Sequence, residues 1–459
     1  MPETSRAQRY ERGKALRAAC PRSSHAAWRP RDASDDPVAL LEESNAGRIP
    51  GLIPVRYGRM AASAFAFFRG SAILQARDLL ATPIGGPLVQ LCGDCHLMNF
   101  GGFATPERNL IFDINDFDET FPGPWEWDVK RLAVSIVLAA RHQGFGEEAA
   151  RAAASTAIAS YRLKTAVYAQ LPPLDVWYAQ IGFDELKTFF RRNSDVLGRL
   201  RDAERYARAR TSETIFPKLA TVTEGRIAIA DDPPLIYHFH QYVDRWDELI
   251  RAFFKRYRRS LPPERQRLFD RYRFEDIAIK MVGVGSVGTR CTIALFLADG
   301  IDPLFLQMKE ARRSVLEPPG SPSRYAHQGE RVVTGQRSMQ AASDIFLGWT
   351  KVPQSQDYYV RQLRDMKVSV DLDAFTRRTL SDYGAICGWA LARAHAKAGD
   401  PAVVCGYLGA SDRFDRAVTR YATAYADQVE HDFAAFTAAI HSGRISVETG
   451  DFGGLEFLP

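Results

Sequence analysis

Two short apolar runs, each ending in a polar loop, constrain this chain more than any other feature. Leu88 to Leu91 leads into Cys92-Gly-Asp-Cys-His-Leu-Met-Asn99, and Asn109 to Ile114 leads into Asn115-Asp-Phe-Asp-Glu119. Runs of this length bounded by turn residues read as strands, and a loop-strand-loop unit brings both loops together. The first loop sets Asp94, His96 and Asn99 at fixed short spacing, and the second gathers Asp113, Asp116 and Asp118. Phosphoryl transfer from a magnesium nucleotide needs such a set. One Asp receives the acceptor's hydroxyl proton, while an Asn and a second Asp hold Mg²⁺ against the phosphates. Magnesium takes few, hard oxygen ligands, which suits Asn with Asp. Asp94 and His96 are therefore candidate catalytic residues. Asn99, Asp116 and Asp118 are candidate metal ligands, with Asp113 in support. His96 either touches phosphate or packs within its loop. Each loop alone also reads as a polar turn or a solvated hairpin; their order and closeness make the pair specific.

A chain of 459 residues is too long for one ordinary core and predicts more than one lobe. Its hydrophobic fraction of 46% and charged fraction of 25% are those of a globular protein. The net charge of +5 favours anionic ligands such as nucleotides and does not argue for nucleic acid. No apolar run approaches the roughly 18 residues that cross a bilayer, so no membrane partner is expected. Met1 to Pro30 is rich in Arg and Ala without an apolar stretch, which reads as an arm rather than a secretory signal. Six cysteines in this length make no disulfide framework. Cys92 and Cys95 read as small buried thiols of a reduced, cytoplasmic protein, with a redox pair as the alternative.

Texture divides the chain into a flexible arm (1–50), a helical lobe (51–272) carrying the two loops, a β-rich module (273–366), and C-terminal helices (367–459) that complete the helical lobe. Apolar spacing predicts helices over 60–80, 127–141, 147–170, 328–344, 374–397 and 412–442. A basic stretch over 189–210 reads as a solvated helix face or as a surface for phosphate or an acidic partner.

Within the β-rich module, Gly283, Gly285 and Gly288 form a G-x-G-x-x-G. Cys291 to Leu297 after it is β-branched and apolar, so a strand follows instead of the helix that a dinucleotide fold requires. A glycine turn between two strands suits a flap whose amides lie over a triphosphate. Lys309, near the end of the third strand, is then placed to reach the phosphates, or is an exposed edge lysine. Glu330, in the first turn of the following helix, is the nearest candidate for its charge partner, or simply favours that helix N-terminus.

These parts resemble the protein kinase and aminoglycoside phosphotransferase superfamily. Gly93-Asp-Cys-His-Leu-Met-Asn99 looks like its catalytic loop and Ile114-Asn-Asp-Phe-Asp118 like its metal-binding strand end. Asp128, in Trp127-Asp-Val-Lys-Arg-Leu-Ala133, resembles the aspartate that braces the catalytic loop, and is otherwise a plain N-cap. Kinases place the glycine flap and its lysine before the catalytic loop, and here they follow it. The resemblance therefore implies an α+β, two-lobe, kinase-like fold in circularly permuted order, with a mainly helical large lobe and a small antiparallel β lobe. Over roughly residues 50 to 410 the chain also resembles the bacterial domain-of-unknown-function family 2252. Phe65-Ala-Phe-Phe-Arg-Gly70, Gly335-Gln-Arg-Ser-Met-Gln340 and Leu391-Ala-Arg-Ala-His-Ala396 carry that likeness beside the loops. The kinase likeness implies ATP and Mg²⁺ as cofactors, with backbone in Tyr358 to Asp365 facing adenine. Its acceptor is an unknown small molecule or protein. A regulatory nucleotide-binding protein, AMP transfer at the same site, and a metal-dependent hydrolase are the alternatives; one nearby histidine disfavours the last. Arg69 and Arg131 read as structural arginines paired to carboxylates or as anion contacts.

Overall fold

The computed structural model describes residues 5–448 apart from 32–34, 192–193, 210–211, 224–225, 234, 239–242, 282–284, 286, 319, 321–322, 353–355, 364–365 and 369. The chain opens with α1 (Arg6–Ala19), α2 (Pro37–Ser44), α3 (Ile53–Met60), α4 (Ala64–Gly70) and α5 (Ala72–Leu79). Four short strands follow: β1 (Leu88–Leu91), β2 (Phe100–Ala104), β3 (Leu110–Ile114) and β4 (Phe121–Pro124). Next come α6 (Trp125–His142), α7 (Glu147–Tyr168), α8 (Pro173–Tyr178), α9 (Phe183–Phe189), α10 (Ser194–Arg208) and α11 (Ser212–Leu219). Then β5 (Ala220–Thr223), β6 (Arg226–Ile229) and β7 (Ile236–Tyr237) lead to α12 (Val243–Ser260) and α13 (Pro263–Phe269). The last third holds β8 (Arg273–Lys280), β9 (Cys291–Ala298), β10 (Asp302–Ala311), α14 (Gln328–Met339), β11 (Gly348–Lys351), β12 (Asp357–Gln362), α15 (Arg377–Ala398), α16 (Pro401–Leu408) and α17 (Arg413–His441). The architecture is α+β with small antiparallel sheets, and no described helix is long and apolar enough to cross a membrane.

Helix α6 is the spine of the helical part, buried from Trp125 to Ala140. A helix buried all round must be covered on every side, its charged residues included. Its neighbours α7 and α15 lie very close because small residues face each other. A Cβ on Gly388 of α15 would sit 2.1 Å from the Ala157 carbonyl oxygen of α7. Glycine there leaves no Cβ to clash with that carbonyl.

The N-terminal fifty residues are not a free arm where they are described. Helix α1 begins with a capping box at Ser5 and Gln8 and lies against α16. Gly13 meets the Val403 carbonyl and Gly406 meets that of Tyr10, each at 2.0 Å from an added Cβ. An Arg- and Ala-rich composition hid this, because the contact uses backbone and glycine instead of an apolar stripe.

The β-rich module is a six-stranded antiparallel sheet in the order β11-β12-β10-β9-β8-β7. One face, with Phe296, Leu306, Met308 and Val360, packs on Ile250, Phe254 and Tyr257 of α12. The other buries Ile293, Leu295 and Phe305 against Ile229 and Ile236. The module thus reaches upstream of residue 273, because α12 and β7 belong to it. Strand alternation carries that second face onward from Phe305 to Gln307 and Lys309. Antiparallel register sets Tyr359 opposite Lys309 and Arg361 opposite Gln307. An apolar face therefore turns polar where it meets the helical part.

Candidate active site

The loop after β1 is held from below by one carboxylate. Asp128 lies inside α6, whose N-cap is Pro124, so it is no cap. It is 1% exposed. Its Oδ2 accepts from the Cys92 amide at 2.9 Å and its Oδ1 from the Gly93 amide at 3.1 Å. His395 Nε2 of α15 lies 3.2 Å from Oδ2. Gly93 has φ of 96°, and a Cβ there would meet the Glu119 carbonyl at 2.1 Å. Only glycine permits that turn and that approach.

Above this anchor, Asp94 faces a cleft of about 1540 Å³ lined by both loops and by β10 and β12. Arg131 donates to Asp94 Oδ1 at 2.8 Å and also to the Phe68 carbonyl and Gln75, so Arg131 positions the carboxylate. Burial raises the Asp94 pKa, against the pull of Arg131. His96 is buried, and its pKa falls well below the usual imidazole range, through burial and then Arg69 and Arg131. Its Nδ1 accepts from the Met98 amide at 3.2 Å, which places the proton of the neutral ring on Nε2, 3.8 Å from Asp94 Oδ2. The Asn99 amide nitrogen donates to the Asp94 carbonyl at 2.7 Å, leaving its oxygen for the cleft.

The β2–β3 hairpin brings the loops together. Phe100 pairs with Ile114, and the Asn115 amide donates to the Asn99 carbonyl at 2.8 Å. Asp116 and Asp118 follow directly. Lys309 Nζ lies 3.0 Å from Asp118 Oδ2 and 3.9 Å from Asp116 Oδ2, and the Tyr359 hydroxyl donates to Asp118 Oδ1 at 2.5 Å. Burial and the Asp118 charge raise Asp116. Burial would raise Asp118 too, but Lys309 and the Tyr359 hydroxyl reverse this and hold it below the usual carboxylate range. Burial would lower Lys309; Asp118, Tyr359 and Asp116 outweigh it and keep the amine charged. The donor set suits Mg²⁺: two carboxylates and the Asn99 side chain line the same cleft, with a buried lysine paired to both carboxylates.

Two expected contributions fall elsewhere. Asp113 is 0% exposed and paired at 2.9 Å with Arg393, also 0% exposed, so it is a core group and lends no support to a metal. Glu330 makes no ion pair with Lys309. It sits in the first turn of α14, where the His327 ring accepts from its amide. The helix reaches the aspartate loop through Arg331, which donates to the carbonyls of Asp118 and Thr120.

Of the glycine turn, Gly283 lies outside the described residues. Gly285 lines the cleft, and Gly288 has φ of 84°. Arg48 donates to the Gly285 and Val287 carbonyls, and the Ile49 amide to that of Gly288. Tyr358 to Val360 have no free backbone edge to turn to adenine, because they pair with both β10 and β11; beyond them the Gln362 amide donates to Asp344 and the Leu363 amide to the Phe305 carbonyl. Residues 364–365 lie outside the described residues. The chain rejoins the helical part at Val368, which bridges to Gly102.

Tyr359, Arg361, Gln307 and Arg331 escaped the sequence reading. Their signal lies in cross-strand register with Lys309 and in long-range contacts, neither of which spacing reveals. Among the described residues, one group of three His, Cys or carboxylate side chains has ligand atoms within 4.8 Å of one another: Cys92, Cys95 and Asp128. Its carboxylate is already committed to the loop amides, and all six cysteines are free and buried. A family model described as an uncharacterized protein conserved in bacteria (DUF2252) matches residues 48–439, so the chain belongs to that family. No curated protein and no solved structure matches it.

Proposed function

We propose that this DUF2252 member is an ATP- and Mg²⁺-dependent phosphotransferase with a kinase-like, circularly permuted two-lobe fold. It would work in the cytoplasm on a hydroxyl acceptor carried by a small molecule or a protein. The carrying observation is the placement of Lys309. A lysine on the third strand after a glycine turn meets the Asp116–Asp118 pair, while Asp94 and Asn99 lie one hairpin away. Kinases use that arrangement: a glycine-rich loop over the phosphates, a third-strand lysine, and Asp with Asn for the metal. Bound Mg²⁺ would supply charge neutralisation between the phosphates.

In this reading Asn99, Asp116 and Asp118 hold the metal, and Lys309 turns from Asp118 towards phosphate. Gly285 and Gly288 allow backbone to approach the nucleotide closely. Asp94, fixed by Arg131, accepts the proton of the attacking hydroxyl on its second oxygen. Neutral His96 packs behind it. Glu330 has no part. AMP transfer would use the same groups, and a non-catalytic nucleotide-binding protein would keep the clamp without the role of Asp94.

Asp94→Asn should lower turnover about 10²–10⁴-fold, the range for loss of a general base, with MgATP affinity unchanged within about twofold. Labelled ATP decides the chemistry: label leaving from the γ position supports phosphoryl transfer, and label from the α position supports AMP transfer. Full turnover in Asp94→Asn would sink the assigned role.

A further inference from the structure

Several arginines withdrawn from solvent in this protein face carboxylates. Arg31 pairs with Asp78 and Asp432, Arg162 with Asp415, and Arg393 with Asp113. Three that line the active-site cleft do not. Arg48 donates to the carbonyls of Ser44, Val287 and Gly285. Arg312 donates to those of Ser44 at 3.1 Å and Ala46 at 2.5 Å. Arg56, 2% exposed, donates to Asn45 Oδ1 and the Gly70 carbonyl, and its Nε has no partner. All three are gathered on one short segment, residues 44–46, by neutral acceptors alone. Burial together with Arg56 and Arg312 pushes Arg48 down to about 8. Glu119 and Glu310 act on Arg48, but burial and the charges of Arg56 and Arg312 outweigh them. Glu310 is paired with Arg290 at 3.2 Å, and half-buried Glu119 accepts from the Val315 amide at 2.7 Å. Like charges held together in a cleft with too little counter-charge are unfavourable until an anion joins them.

The position of the cluster says which molecule brings the anion. Arg56 donates to the Gly70 carbonyl, two residues from Phe68, whose carbonyl accepts from the same Arg131 that holds Asp94. The cluster therefore lies near the proton acceptor. Lys309, Tyr359 and Arg361 form a separate group around the metal carboxylates.

We infer that Arg48, Arg56 and Arg312 form a second anion subsite, which takes a phosphoryl group already present on the acceptor. The inference rests on the phosphotransferase reading for the word acceptor, but the subsite itself does not. Guanidinium groups match a tetrahedral oxyanion through forked donors, and a cluster of them distinguishes a phosphorylated acceptor from a neutral or cationic one.

The test is thermal shift of the full chain with inorganic phosphate, with and without saturating MgADP, in wild type, Arg56→Gln and Arg312→Gln. Phosphate should raise the melting temperature of wild type, and the rise should add to that of MgADP. Each substitution should weaken phosphate at least tenfold while MgATP affinity stays within twofold. The inference is overturned if phosphate gives no shift or is displaced by MgADP. It is also overturned if the substitutions weaken MgATP as much as phosphate, which would place the cluster in the nucleotide site. Should both variants fail to fold, additivity of phosphate and MgADP in wild type decides alone. A phosphate shift lost in the variants, beside no response to any nucleotide, would leave the subsite standing and remove the phosphotransferase reading.

Discussion

Asp128→Ala is expected to destabilise the protein by about 2–6 kcal/mol, because it leaves two buried backbone amides without acceptors at about 1–3 kcal/mol each. The donors are Cys92 and Gly93, and the His395 ring loses its partner too. A capping aspartate would cost only about 1 kcal/mol. The size of the loss therefore separates a brace from a cap. Guanidinium unfolding followed by circular dichroism measures it. Asp128→Asn should cost less, since its remaining oxygen still accepts from one amide. Both variants should lose turnover beyond what their residual folded fraction explains, because the loop that aims Asp94 would be free to shift. A loss near 1 kcal/mol for Asp128→Ala would contradict this account of the loop.

Arg393→Leu should cost about 3–5 kcal/mol, the range for stranding one charge of a buried pair. Asp113 accepts from Arg393 at 2.9 and 3.0 Å, from the Ala341 amide at 2.8 Å and from its own neighbour Ile114. Without Arg393 its charge would sit in a fully buried place with amides alone. The double variant Asp113→Leu with Arg393→Leu should recover much of the loss, because hydrophobic replacements of a buried ion pair are often neutral. The same unfolding measurement on the single and double variants gives the coupling. A double variant as weak as the single one would show that the pair fixes the aspartate loop rather than merely neutralising charge.

The two catalytic-type loops were legible because their chemistry is local. Asp94, Asn99, Asp116 and Asp118 come together through one short hairpin, and β2 and β3 are each five residues long. Lys309 was legible as a lysine late on a third strand, since strand alternation fixes its face once the strand is known. Its partner was not. A charge partner across 191 residues is set by the docking of the sheet on the helical part, whereas Glu330 is only an acid that the next helix offers. Asp113 misled for a related reason. It shares the acidic stretch with Asp116, yet alternation along β3 turns it inward to Arg393. The N-terminal helix escaped because its packing relies on Gly13 and Gly406 and leaves no apolar periodicity to read. The upstream reach of the sheet escaped because α12 presents its apolar residues at helical spacing, which says nothing of what they cover.

The central claim is that Lys309, Asp116, Asp118 and Asn99 form a metal–nucleotide site. Thermal shift with ATP and Mg²⁺, on wild type and Asp116→Asn, tests it most directly. A ligand that binds only the folded chain must raise its melting temperature, by RT ln(1 + [L]/Kd) in free energy. The account predicts a rise in wild type that requires Mg²⁺ and is lost in Asp116→Asn. No rise in wild type with any nucleotide, or an equal rise in Asp116→Asn, would contradict it.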